Sequence, residues 1–82
     1  MKAQEIVKCE KEICGINTQY YLFKVSESRY QICISRGNTS EKAEFDGDFF
    51  DIADLFKIIV NTNTLPESLA DIACDFKNSV CV

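Results

Sequence analysis

Hydrophobic and polar positions follow one period in the first half of this chain and another in the second. From Glu5 to Cys14 apolar and polar residues alternate weakly, as in an opening edge strand. Gly15–Ile16–Asn17 interrupts the alternation and predicts a turn. Tyr20–Tyr21–Leu22–Phe23–Lys24–Val25 is dense in aromatic and β-branched side chains and predicts a central strand. Ser26–Glu27–Ser28 suits a short hairpin loop. Tyr30, Ile32 and Ile34 then alternate with Gln31, Cys33 and Ser35, the pattern of a half-buried strand. Arg36–Gly37–Asn38–Thr39–Ser40 reads as a second turn, with Gly37 and Asn38 tolerant of positive φ. Ala43 and Phe45, alternating with Glu44 and Asp46, predict a short fourth strand.

Past Asp46 the repeat lengthens. Phe49, Ile52, Ala53, Phe56, Ile59 and Val60 recur at steps of three and four, which predicts an amphipathic helix over 48–61. Asp46 or Asp48 can accept hydrogen bonds from its first backbone N–H groups, and both acids suit the dipole there. Asn61–Thr62–Asn63–Thr64 ends it. A second helix is expected over 66–78, with Pro66 in its first turn and Thr64 and Glu67 at capping-box spacing. Its apolar stripe is Leu69, Ile72, Ala73 and Phe76.

Two amphipathic helices need an apolar surface to cover, and the sheet is the only candidate. The expected fold is therefore α+β: a three- to four-stranded antiparallel sheet over 5–46 carrying a helical hairpin on one face, one domain across 1–82. On the central strand, Tyr21, Phe23 and Val25 alternate with Tyr20, Leu22 and Lys24. If the first set meets the helices, Tyr20 and Leu22 lie on the outer face, with Cys33 beside them on the next strand. An exposed apolar patch of that kind marks an interface, and an unprotected strand edge is a second route to pairing. Tyr20, Leu22 and Cys33 are thus the candidate interface of a homodimer or of a complex with another protein.

Charge narrows the partners. The chain of 82 residues carries nine basic and thirteen acidic side chains, a net −4. The basic residues stand singly, without the clusters that neutralise phosphates, so a nucleic-acid partner is not expected. Residues 1–42 balance to +2 and residues 43–82 to −6, an acidic helical half. The start, Met1–Lys2–Ala3–Gln4–Glu5, lacks an apolar signal region, and no run approaches the ~18 apolar residues of a membrane span. A cytoplasmic setting follows, in which the five cysteines, Cys9, Cys14, Cys33, Cys74 and Cys81, stay reduced.

The run from Asp54–Leu55–Phe56 through Asn61–Thr62–Asn63–Thr64–Leu65–Pro66–Glu67–Ser68–Leu69–Ala70–Asp71–Ile72–Ala73–Cys74–Asp75–Phe76 resembles the C-terminal signature of an uncharacterised family. That family is a domain of unknown function in small proteins of anaerobic Gram-positive bacteria. Its members join a Tyr-Tyr-Leu strand and further strands to a helix and a segment of the type Asn-x-Val-Thr-Pro-x-His-Leu-x-Asp-x-x-x-Asp-Phe. Pro66, Leu69, Asp71, Asp75 and Phe76 match, as do Tyr20, Tyr21 and Leu22. Leu65 stands where threonine is expected and Ser68 where histidine is, so no role of that histidine transfers. The resemblance implies a fold and a bacterial cytosolic origin, and no activity.

Candidate chemistry is sparse. Cys9 and Cys14 are the nearest cysteine pair, but histidine is absent and the other thiols lie far along the chain, which is poor zinc-site spacing. Cys33 and Cys74 read as small core residues, leaving Cys9, Cys14 or Cys81 for a thiol- or metal-sensing alternative. Asp46–Gly47–Asp48–Phe49–Phe50–Asp51 fails the calcium-loop pattern at its fifth, sixth and twelfth positions. Asp71 and Asp75 share a helix face as solvated acids. No nucleophile–histidine pair, phosphate-cradling loop or dinucleotide fingerprint occurs. The expectation is a protein without catalysis, cofactor, metal or small-molecule substrate, acting as an interaction or regulatory module.

Overall fold

The computed structural model describes the backbone from residue 4 to 80 and the side chains from 4 to 74. Four antiparallel strands form a meander in sequence order: β1 (Gln4–Ile13), β2 (Ile16–Ser26), β3 (Arg29–Arg36) and β4 (Thr39–Asp46). Helix α1 (Phe49–Asn61), a 3₁₀ turn (Pro66–Ser68) and helix α2 (Leu69–Val80) follow. This is the expected α+β order.

The strands are longer than their hydrophobic cores suggest because the turns are tight. Cys14 and Gly15, with φ of 52° and 80°, close the first hairpin, and Ile16 and Asn17 already belong to β2. Two consecutive positive φ values make a turn whose twist matches its strands. Gly37, with φ of 59°, opens the turn between β3 and β4. Thr39 and Ser40, expected in a loop, are paired with β3.

The helix starts differ from expectation. Asp48 stands at the N-cap of α1, but its side chain makes no capping bond. Asp46 instead accepts from Arg29 Nε at 2.9 Å. Leu65, not Thr64, precedes the second helical segment and likewise makes no side-chain cap. The Thr64 hydroxyl lies 2.9 Å from that of Thr62. At the other end of α1 no basic residue occupies the last turn, and Lys11 of β1 donates to the Val60 carbonyl at 2.6 Å. A strand thereby supplies the positive charge that a helix C-terminus favours.

One inserted residue decides the core. Had the turn at Glu27–Ser28 closed a regular ladder, Val25, Phe23 and Tyr21 would share the face of Tyr30, Ile32 and Ile34. The register instead shifts between Lys24 and Ser26, leaving Val25 as a bulge. Lys24 then pairs with Tyr30, Leu22 with Ile32 and Tyr20 with Ile34. Because side chains alternate between faces, a slip of one position exchanges the whole set. Tyr20 and Leu22 are accordingly 0% and 1% exposed, packed with Ile32, Ile34, Phe45, Ile52, Ile59 and Leu69.

The placement of Tyr20 and Leu22 on the outer face is thus corrected: both belong to the core. Burial of a tyrosine demands a partner for its hydroxyl. The Tyr20 hydroxyl finds one in the Thr64 carbonyl, to which it donates at 2.9 Å from below the link between the helices. Burial also pushes that hydroxyl above its ordinary pKa.

Candidate functional site

The outer face of the sheet is the first place to look. Tyr21, Phe23 and Val25 lie there half-buried, and Cys33 is paired with Tyr21. The rings of Tyr21 and Phe23 stack at 5.8 Å, with the Lys8 ammonium 5.7 Å from the Tyr21 centroid. The Tyr21 hydroxyl donates to Gln19, whose amide donates to Glu10 at 2.9 Å; Asn17 donates to the same oxygen at 3.1 Å. These bonds, that from Gln19 foremost, hold the Glu10 carboxyl below its ordinary range. Arg29 bridges Asp46 and Glu44. The outer surface is a short aromatic strip inside a polar frame, and of the three candidate interface residues only Cys33 lies on it.

The opposite face is covered unevenly. Over β4 lie α2 and the 3₁₀ turn. Phe45 of β4 is 1% exposed, and Ala43 packs against the core. On β1 the inward positions are Val7, Cys9, Lys11 and Ile13, fixed by pairing with Leu22, Tyr20, Thr18 and Ile16. Val7 is 40% exposed. Between β1 and α1 runs an apolar groove of about 290 Å³, lined by Val7, Cys9, Phe49, Ala53, Phe56 and Val60 among others.

The helical repeat explains that groove. Ile52, Phe56 and Ile59 turn into the core. Phe49, Ala53 and Val60 lie about a sixth of a turn or more to one side, facing the space above β1. Phe49 remains 38% exposed and Phe50, next around the helix, 73%. The apolar stripe on α1 is therefore wider than the sheet area it covers.

Beside the groove lies the edge of β1. The two-residue turn makes Ile13 and Ile16 a hydrogen-bonded pair, so Val7, Cys9, Lys11 and Ile13 bond to β2 up to the register shift between Glu5 and Val7. The backbone groups of Lys8, Glu10 and Glu12 point away from the sheet. A strand edge with open donors and acceptors is a template for another strand. Here it adjoins an apolar groove, so one ligand strand could take both backbone bonds and side-chain burial.

Sequence reasoning found the edge strand but missed the groove. The signal was present: inward Val7, Cys9 and Ile13 contrast with outward Lys8, Glu10 and Glu12, and the α1 stripe carries more apolar positions than a core face requires.

The other candidate groups do not converge. Cys9 is half-buried in the groove, Cys14 exposed at the first turn, Cys33 half-buried on the outer face, and Cys74 exposed on α2. Neither Cys33 nor Cys74 is therefore the core residue expected, and it is Cys9 that packs against the core. Among the described residues no three cysteine or carboxylate side chains group as metal ligands, and no helix is long and apolar enough to cross a membrane. Asp71 is exposed. The side chains of Asp75 and Phe76, and all of Cys81, fall outside the described residues. No family model, curated protein or solved structure matches the chain.

Proposed function

We propose that this protein is a non-catalytic, cytosolic protein-interaction module that binds its partner along β1. The observation that carries this reading is the adjacency of an open strand edge and an uncovered apolar groove on one strand. Addition of a strand to a sheet edge gains main-chain hydrogen bonds, and a neighbouring groove supplies specificity through side chains. The acidic balance and scattered basic residues favour a protein over a nucleic acid as the partner.

Affinity capture from a cell lysate, with the whole chain and its Ala53→Glu variant as baits, tests the reading. Ala53 lies in the groove, half-buried and outside the fully buried core, so the variant keeps its fold by circular dichroism. Proteins retained by the parent chain and lost from the variant support the groove. Identical retained sets overturn it.

A further inference from the structure

Resting on that reading, we infer that one occupant of the β1 edge is β1 of a second copy, joined antiparallel about a two-fold axis at Cys9. Charge selects this register. With Cys9 opposite Cys9 of the other copy, Lys8 faces Glu10 and Glu10 faces Lys8, two opposite-charge pairs on the outer surface with no like pair. Centring on Lys8 or Glu10 instead sets two like charges directly opposite each other. Backbone geometry agrees, because Lys8 and Glu10 are the residues whose N–H and C=O groups point off the edge.

The inward face gains as well. Val7 comes opposite Lys11 of the second copy, and the two β1–α1 grooves merge into one trough walled by both α1 helices. The result is a continuous eight-stranded sheet. The β4 edge offers Lys42 opposite Glu44 in an analogous pairing, but there the Arg29 cation already pairs with Glu44 at 3.5 Å, and the groove between β4 and α2 is edged by the charged Lys42 and Glu44.

In this register the two Cys9 residues form a non-hydrogen-bonded pair, with Cα atoms about 4.5 Å apart, within disulfide reach. A whole chain that keeps Cys9 alone, with Cys14, Cys33, Cys74 and Cys81 changed to serine, is treated with diamide. Two thiols then join as one disulfide while diamide takes up two electrons and two protons. The expected product is a covalent dimer of twice 9.3 kDa that dithiothreitol reverses. Ala43→Cys in a cysteine-free chain, the equivalent central position of β4, stays monomeric.

Without oxidant, light scattering shows mass rising with concentration. Lys8→Glu or Glu10→Lys weakens association about tenfold, and the double exchange restores it. A monomer at every concentration with no Cys9 disulfide overturns the inference, as does cross-linking through position 43 or a dimer indifferent to both charge exchanges. The proposed function is judged separately, by whether captured lysate proteins depend on Ala53.

Discussion

The two edges of this sheet are built from similar strands and finished differently. Both β1 and β4 follow or precede a two-residue turn, and both carry charges on their outward face. On β4 Phe45 is 1% exposed beneath α2 and the 3₁₀ turn, Ala43 is half-buried, and Glu41 at the far end is exposed. On β1 Val7, in register across the sheet with Leu22, Ile32 and Ala43, is 40% exposed beside an apolar groove. What separates a finished edge from a receptive one is the span of the helical layer above it, which the strand's own sequence does not record.

The largest test of this contrast is truncation on the finished side. Phe45→Ala removes a fully buried ring and should cost about 3–5 kcal/mol, most of the stability of a domain this size. Val7→Ala on the open side should cost less than about 1 kcal/mol, because much of that side chain is already in water. Urea unfolding reads both values; a Val7→Ala loss above about 2 kcal/mol, the cost of truncating a fully buried valine, would mean that β1 is covered after all.

Next in size are two bonds that tie the helical layer down. Tyr20→Phe leaves the Thr64 carbonyl without its donor and should cost about 1 kcal/mol. Lys11→Met removes the charge at the end of α1 and should cost about the same, while keeping the stem over the sheet. Thermal melts of each against the parent check both values.

The smallest expected effect is on acid stability. Because the folded Glu10 carboxyl is held low by Gln19 and Asn17, its contribution is present above the ordinary carboxylate range and disappears as pH falls through the lowered value. Gln19→Ala should flatten the acid limb of a stability–pH curve slightly. An unchanged limb would remove Glu10 from the account.

Much of the fold was legible because its periods are unambiguous. Tyr30, Ile32 and Ile34 point inward as their alternation requires, and Ile52, Phe56 and Ile59 as their helical spacing requires. The face of β2 was not, because Tyr20 and Leu22 compete closely with Tyr21, Phe23 and Val25 in apolar content. Only the bulge at Val25 breaks that tie on the β3 side, and a bulge has no composition of its own. The β1 hairpin breaks it independently: its outward Lys8, Glu10 and Glu12 must share a face with Tyr21, Gln19 and Asn17. The groove was obscure for a different reason, since it depends on how far two helices reach over four strands.

The most direct measurement is amide hydrogen exchange at Lys8, Glu10 and Glu12 across a wide range of protein concentration, with Lys42 and Glu44 as internal references. Pairing through β1 requires that the first three amides become protected as concentration rises while the β4 amides keep exchanging. Equal and fast exchange on both edges at every concentration would contradict it.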